Sequence, residues 1–168
     1  RPFFWKNKKK IPIYGSLKTI QNLKRSYEFC FFPRHSYKPI MKAIVIKNEF
    51  KINKNKNLIK IDPFEVTHGS IKATGYLFNK IAYISDCNYI SRKNIKKLFD
   101  LDYLIIDCLR KDPHPSHFHY EETIKIAKKL KPKKTILTNL HVDLDYGDLR
   151  KKLPKSIIPA YDGLSFNF

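Results

Sequence analysis

Histidine and aspartate recur in this sequence at the ends of apolar runs, and those two residue types together suit a divalent metal ion. One run in the stretch 64–87 closes on His68-Gly69; after a bend at Gly75, a second, Ile81-Ala82-Tyr83-Ile84, delivers Asp86. The run 103–106 ends in Asp107-Cys108 and is followed by Pro113-His114-Pro115-Ser116-His117-Phe118-His119. A further run leads into Asn139-Leu140-His141-Val142-Asp143. Imidazole nitrogen and carboxylate oxygen are shared ligands of zinc and manganese, and loops that follow strands are where sites are commonly built. Singly, a His-Gly pair is a turn and an Asp ending a strand is a cap. Their recurrence at successive strand ends is what points to a site.

The elements that must position these residues follow from periodicity. Residues 1–10 end in Lys6-Asn7-Lys8-Lys9-Lys10, a solvated turn; 11–14 read as a short strand closed by Gly15, and 17–28 as a helix capped by Ser16 with Leu17, Ile20, Leu23 and Tyr27 on one face. His35, in an irregular aromatic loop broken by Pro33, is left out of the site. Strand patterns at 40–46 and 58–66 flank a polar loop at 48–57, a turn or an extended hairpin, and 74–78 and 80–86 make a hairpin around Asn79-Lys80, giving consecutive antiparallel strands. Ser91 caps a helix whose buried stripe is Ile95, Leu98 and Phe99. Residues 120–130 form a helix with Glu121 and Glu122 in its first turn and Lys128 and Lys129 in its last, as the macrodipole favours. Strand 135–140, a short helix at 147–153 and a closing hairpin of 157–161 with 164–168 around Asp162-Gly163 complete the chain. Right-handed crossovers then bring Asp86, Asp107 and His141 to one edge of one sheet.

The totals agree with a folded enzyme-like domain. The chain has 168 residues, 42% hydrophobic and 14% aromatic, enough to bury a core. No apolar run reaches the roughly 20 residues that span a bilayer. Three cysteines make no C-x-x-C pair, and Cys87 and Cys108 read as small buried thiols, which fits a reducing cytoplasm. The formal charge is +19, but only six of the 34 basic residues are Arg, the type best suited to planar phosphate recognition. The lysines are scattered among asparagines, so they read as a solvated surface; a functional basic face would centre on 51–60.

The motifs FEVTHG, GY with AYISDC, LIIDCLR followed by PHPSHF, KPKKTILTNLHVDLDY and PAYDGL, in this order, resemble the metallo-β-lactamase-fold hydrolases, in the branch that includes the phosphoribosyl cyclic phosphate phosphodiesterase. The resemblance runs from Pro2 to Phe166 and identifies residues 1–168 as the C-terminal portion of a single such domain. It implies an α/β (α+β) fold, an αββα four-layer sandwich incomplete at its N-terminus, with two divalent metal ions, Zn or Mn, at the sheet edges. It implies His68 as a metal ligand, Asp86 as the bridging carboxylate and His117 as the catalytic histidine, with His114 in the same loop. The family's HxHxDH segment, which supplies most other ligands, is absent from the sequence, and activity is expected of a longer protein rather than of these residues alone. Where the family's last ligand is histidine this chain has Asn139; amides bind zinc poorly, so His141 takes that role and Asn139 is the alternative.

The residues themselves agree with that chemistry: cations activate a water and clamp phosphate oxygens, while an imidazole protonates the leaving oxygen. Asp107 either orients a ligand or pairs with Arg110; Asp143 and Asp145 read as turn and cap residues, and Asp162 as a turn residue near the site. The expected function is a phosphodiesterase working through a metal-bound hydroxide on a small phosphate ester, a cyclic phosphate or nucleotide. The alternatives are an RNA-processing nuclease of the same fold and a non-enzymatic basic module that binds nucleic acid. A membrane partner is not expected, and a homodimer is compatible with the reading.

Overall fold

The computed structural model describes residues 1–54 and 57–166; positions 55 and 56, inside the basic stretch 51–60, and 167 and 168, at the end of the expected closing hairpin, lie outside the described residues. The chain divides into two compact units, Arg1–Phe50 and Lys51–Phe168. The first holds helix α1 (Pro2–Asn7), strand β1 (Ile11–Gly15), helices α2 (Leu17–Ser26) and α3 (Glu28–Phe31) and strand β2 (Met41–Val45). Ser16 caps α2 by accepting a hydrogen bond from the Thr19 N–H, and Ile20, Cys30 and Ile40 are the buried residues of this unit's small core.

Two expectations fail here. The turn expected at Lys6–Lys10 begins later, because Lys6 and Asn7 close α1: Pro2 stands at the start of that helix, where its fixed φ suits the first helical position, and the helix ends at Lys8 in the left-handed region. The run at 40–46 does not join an antiparallel series either. It becomes β2 and pairs with β1 in parallel, because α2 and α3 supply the crossover that parallel strands need.

The second unit is built on seven strands in sequence order: β3 (Phe50–Lys54), β4 (Asn57–His68), β5 (Ile71–Phe78), β6 (Ile81–Ile84), β7 (Tyr103–Asp107), β8 (Lys134–Thr138) and β9 (Ile157–Pro159). β4, β5 and β6 are antiparallel neighbours, whereas β6 to β9 are parallel. β4 therefore runs in the same direction as β6, β7 and β8, so His68 and the residues just after those three strands emerge at one edge. Phe64, Val66, Ala82, Ile84, Leu104, Ile106 and Leu137 form the strand side of the core, which packs with Leu98, Ala127, Leu130 and Leu149. Alternation along β7, with Leu104 and Ile106 fully buried and Tyr103 and Ile105 half-buried, shows which face carries that core. Phe64 faces Gly75 across the β4–β5 ladder, and a Cβ at Gly75 would stand 2.6 Å from the Phe64 ring, so only glycine leaves room.

Helix α5 (Tyr120–Leu130) buries Thr123, Ala127 and Leu130. The Thr123 hydroxyl donates to the Asp107 carbonyl, tying the helix to the end of β7. α6 (Tyr146–Lys152) is capped by Asp145, which accepts from the Asp148 N–H. α4 (Arg92–Ile95), capped by Ser91, lasts one turn before tightening into a 3₁₀ turn at Lys96–Leu98. That change of winding takes Phe99 off the expected buried stripe and leaves it 50% exposed. The closing hairpin is not formed among the described residues: β9 pairs with β8 in parallel, and 164–166 are not a strand. No helix among the described residues is long and apolar enough to cross a membrane.

Candidate metal centre

Each site residue sits where a strand gives out. His68 is the last residue of β4, and Gly69 follows at φ +61°, a left-handed turn in which a Cβ would also stand 2.9 Å from the Ser116 Cβ. The close approach lets the Ser116 carbonyl accept from His68 Nδ1 at 2.8 Å. Since a carbonyl can only accept, His68 carries its proton on Nδ1 and leaves the Nε2 lone pair free. Asp86, two residues past β6, is exposed; the Ser85 hydroxyl donates to its Oδ2 at 2.7 Å.

His117 is held the same way. Its Nδ1 lies 2.7 Å from Oδ2 of Asp107, the fully buried last residue of β7. The same oxygen accepts from the Cys87 N–H at 3.0 Å, and Oδ1 accepts from Asn139 Nδ2 at 3.2 Å. Burial pushes the Asp107 carboxyl above the usual carboxylate range, while these three donors pull it back. Arg110 is not its partner: the guanidinium donates to the carbonyls of Asp112 and Pro113. Asp107 therefore orients His117, which presents Nε2, as His68 does.

His68, Asp86 and His117 come together, each offering a ligand atom, with all of these atoms within 4.8 Å of one another. The two imidazole rings are 4.5 Å apart, edge to face. Two imidazoles already oriented through Nδ1, plus one exposed carboxylate, are a donor set that fits a borderline divalent cation with three protein ligands.

The other expected residues are arranged differently. His114, 5.1 Å from His117, accepts from the Ser116 N–H through Nδ1, so its neutral form carries the proton on Nε2. Desolvation, and then the Arg110 guanidinium, hold its pKa below the ordinary imidazole range. It thus offers an N–H where its neighbours offer lone pairs. His119 belongs to the start of α5, paired with Glu122. His141 stands outside the three-residue group, exposed, with Nδ1 3.0 Å from Asp143 Oδ1. Asp143 also accepts from the Lys111 N–H, and that bond leads the causes holding its carboxyl below the usual range. Asn139 lies at φ 62°, tolerable for asparagine, and uses its amide as a donor to Asp107 and, at 3.4 Å, to the Ser85 carbonyl. Asp162 lies in an exposed turn. Burial pushes the Cys87 and Cys108 thiols up to about 12, which keeps them protonated and inert.

Asn88 was missed by the sequence reading. Its contacts run to residues 19 and 27 positions away, which no local spacing announces.

A family model described as the beta-lactamase superfamily domain matches residues 1–140. Among solved structures, a diphosphatase from the PhnP family superimposes with a TM-score of 0.80 and 31% identity, over 92% of this chain and 57% of that one. Zn(2+)-bound PqqB from Methylobacterium extorquens (TM-score 0.71, 12% identity, 95% of this chain and 65% of that one) shares the fold. So does the short form of human tRNase Z (TM-score 0.61, 18% identity, 92% and 65%). Among curated proteins, an octanoyltransferase of Porphyromonas gingivalis is 24% identical over 161 residues, 93% of this chain and 32% of that protein. The chain thus spans about a third of the length of that curated relative and little more than half of the diphosphatase.

Proposed function

The chain belongs to the beta-lactamase superfamily, and on that premise we propose that it serves a metal-dependent hydrolase that cleaves a phosphodiester in a small cyclic phosphate or nucleotide. The observation that carries this reading is the convergence of His68, Asp86 and His117 on one sheet edge, with both imidazoles pinned through Nδ1. His68 and Asp86 would hold the cation, zinc or manganese, since the donor set takes either. When bound, a divalent cation supplies Lewis-acid polarisation of a phosphoryl oxygen and acidifies water. In the two-metal form of the reading Asp86 would serve both cations, and His141, whose Nε2 is left free by Asp143, would add a ligand to the second.

His117 is the general acid. Asp107, bonded to Nδ1 behind it, aims Nε2 outward, the geometry that a proton donor to a leaving oxygen needs. The 4.8 Å grouping supports His117 as a third ligand instead; Nε2 is the one nitrogen turned outward, so that role excludes proton donation by the same ring. His114 then contributes its Nε2–H as a donor to a phosphoryl oxygen.

The likeness to the PhnP-family diphosphatase supports phosphoryl chemistry; the fold of tRNase Z and the charge of +19 support a nuclease as the runner-up. A substrate panel on the full-length protein separates the readings. A cyclic phosphodiester is expected to exceed a phosphomonoester and a carboxylic ester in kcat/KM by about 10²-fold, the discrimination that a few positioned polar contacts supply. Preference for a precursor tRNA makes the protein a nuclease. Binding of nucleic acid that falls steeply with salt, without turnover of any substrate, makes it a basic binding module.

A further inference from the structure

We infer that Asn88 is the positioning residue of this centre, one side-chain amide that sets the spacing of all three proposed metal-holding segments. It stands two residues after Asp86, on the same loop. Its Oδ1 accepts from the N–H of Gly69, the residue after His68, at 3.0 Å. Its Nδ2 donates to the carbonyl of Pro115, two residues before His117, also at 3.0 Å. Its own backbone N–H donates to the Thr67 carbonyl at 2.8 Å, fixing the amide against the end of β4. The next loop residues continue the seam: the Thr67 N–H donates to the Tyr89 carbonyl, and the Phe118 N–H to the Cys87 carbonyl.

The three segments are far apart in sequence and carry different constraints. The His68 turn is set by the left-handed Gly69, the Asp86 loop by the end of β6, and the 113–117 loop by Arg110, which holds Asp112 and Pro113. Asn88 joins all three. A carboxamide suits the position because it offers an acceptor on one side and a donor on the other; neither carboxylate nor hydroxyl reproduces both at that reach. Groups that orient ligands without touching the metal typically change its affinity 10–100-fold when removed.

The inference rests on the proposed ligand set, and the test separates the two. The full chain is titrated with Co²⁺, a spectroscopic stand-in for zinc, against a competing chelator, with far-ultraviolet circular dichroism as the check on folding. Asn88→Ala is expected to bind Co²⁺ about 10–100-fold more weakly, with an altered visible absorption band and an unchanged backbone spectrum. Should that variant fail to fold, Asn88→Asp is nearly isosteric and keeps the acceptor for Gly69 while losing the donor to Pro115. Its added charge attracts the cation, so the absorption band rather than the affinity is read, and a changed band is expected. Unchanged affinity and band in a folded Asn88→Ala, or an unchanged band in Asn88→Asp, overturns the inference; if His68→Ala still abolishes binding, the ligand assignment survives. Absence of Co²⁺ binding by the unaltered chain overturns both.

Discussion

His68→Ala and Asp86→Ala are each expected to lose the bound metal and to lower hydrolysis by the full-length protein about 10³-fold, since Lewis-acid stabilisation is worth several kcal/mol and each 1.4 kcal/mol is tenfold. The two variants fail for the same chemical reason but differ in their cost to the fold. Asp86 is exposed, and among the described residues its carboxylate accepts only from the neighbouring Ser85 hydroxyl, so its removal leaves no buried group there unpaired. His68 is half-buried, bonded to the Ser116 carbonyl and packed edge to face on His117. Asp86→Ala therefore isolates metal binding from stability, and full metal content with full turnover in either variant contradicts the ligand assignment.

Asp107→Ala is expected to be the most destabilising change at the site, by about 3 kcal/mol. The side chain is completely buried and receives three donors, from the Cys87 backbone, His117 and Asn139. Alanine leaves the Cys87 N–H unpaired inside the protein and frees the His117 ring to rotate, so metal affinity falls together with stability. Asp107→Asn keeps the shape but turns an NH₂ group toward a donor, whichever way the amide is set. It is expected to fold better than the alanine variant and still to bind metal less tightly than the natural chain. Urea denaturation and metal titration on the two variants check this; an Asp107→Ala protein as stable as the parent would show that the three donors find other partners.

Much of the frame was legible because local signals agreed. Tyr120–Leu130 is helical over the expected span, since acidic residues at its start, lysines at its end and Pro132 beyond it all mark the same limits. The hairpin at Asn79-Lys80 was readable for a similar reason: Asn79 takes the left-handed conformation that a tight turn demands. The shared edge for Asp86, Asp107 and His141 followed from the handedness of crossovers, and the parallel registers of β6, β7 and β8 bear it out, although His141 stays outside the three-residue group. Where tertiary pairing decided, the sequence was silent. The strand Ile157–Pro159 had a turn beside it that suggested a hairpin, but β8 offered a longer apolar edge and took it in parallel. Phe99 was placed on a buried stripe that assumes 3.6 residues per turn, and the local 3₁₀ winding moved it out.

The site shows the same division. Residue types at strand ends pointed to His68 and Asp86, and the family resemblance to His117, whereas the bonds that hold the site span long separations: His68 to Ser116 over 48 positions and Asn139 to Asp107 over 32. Asp107 was recognised as either an orienting group or an Arg110 partner, and only the fold could show its carboxylate turned toward His117. Asn139, weighed as a weak ligand, uses its amide as a donor to that same carboxylate.

The most direct test of metal-dependent hydrolysis is the turnover of a cyclic phosphodiester by the full-length protein before dialysis against a chelator, after it, and after Zn²⁺ or Mn²⁺ is restored. The predicted result is loss of turnover on chelation and its return with the metal, at unchanged secondary structure. Turnover that survives complete removal of metal would contradict the account.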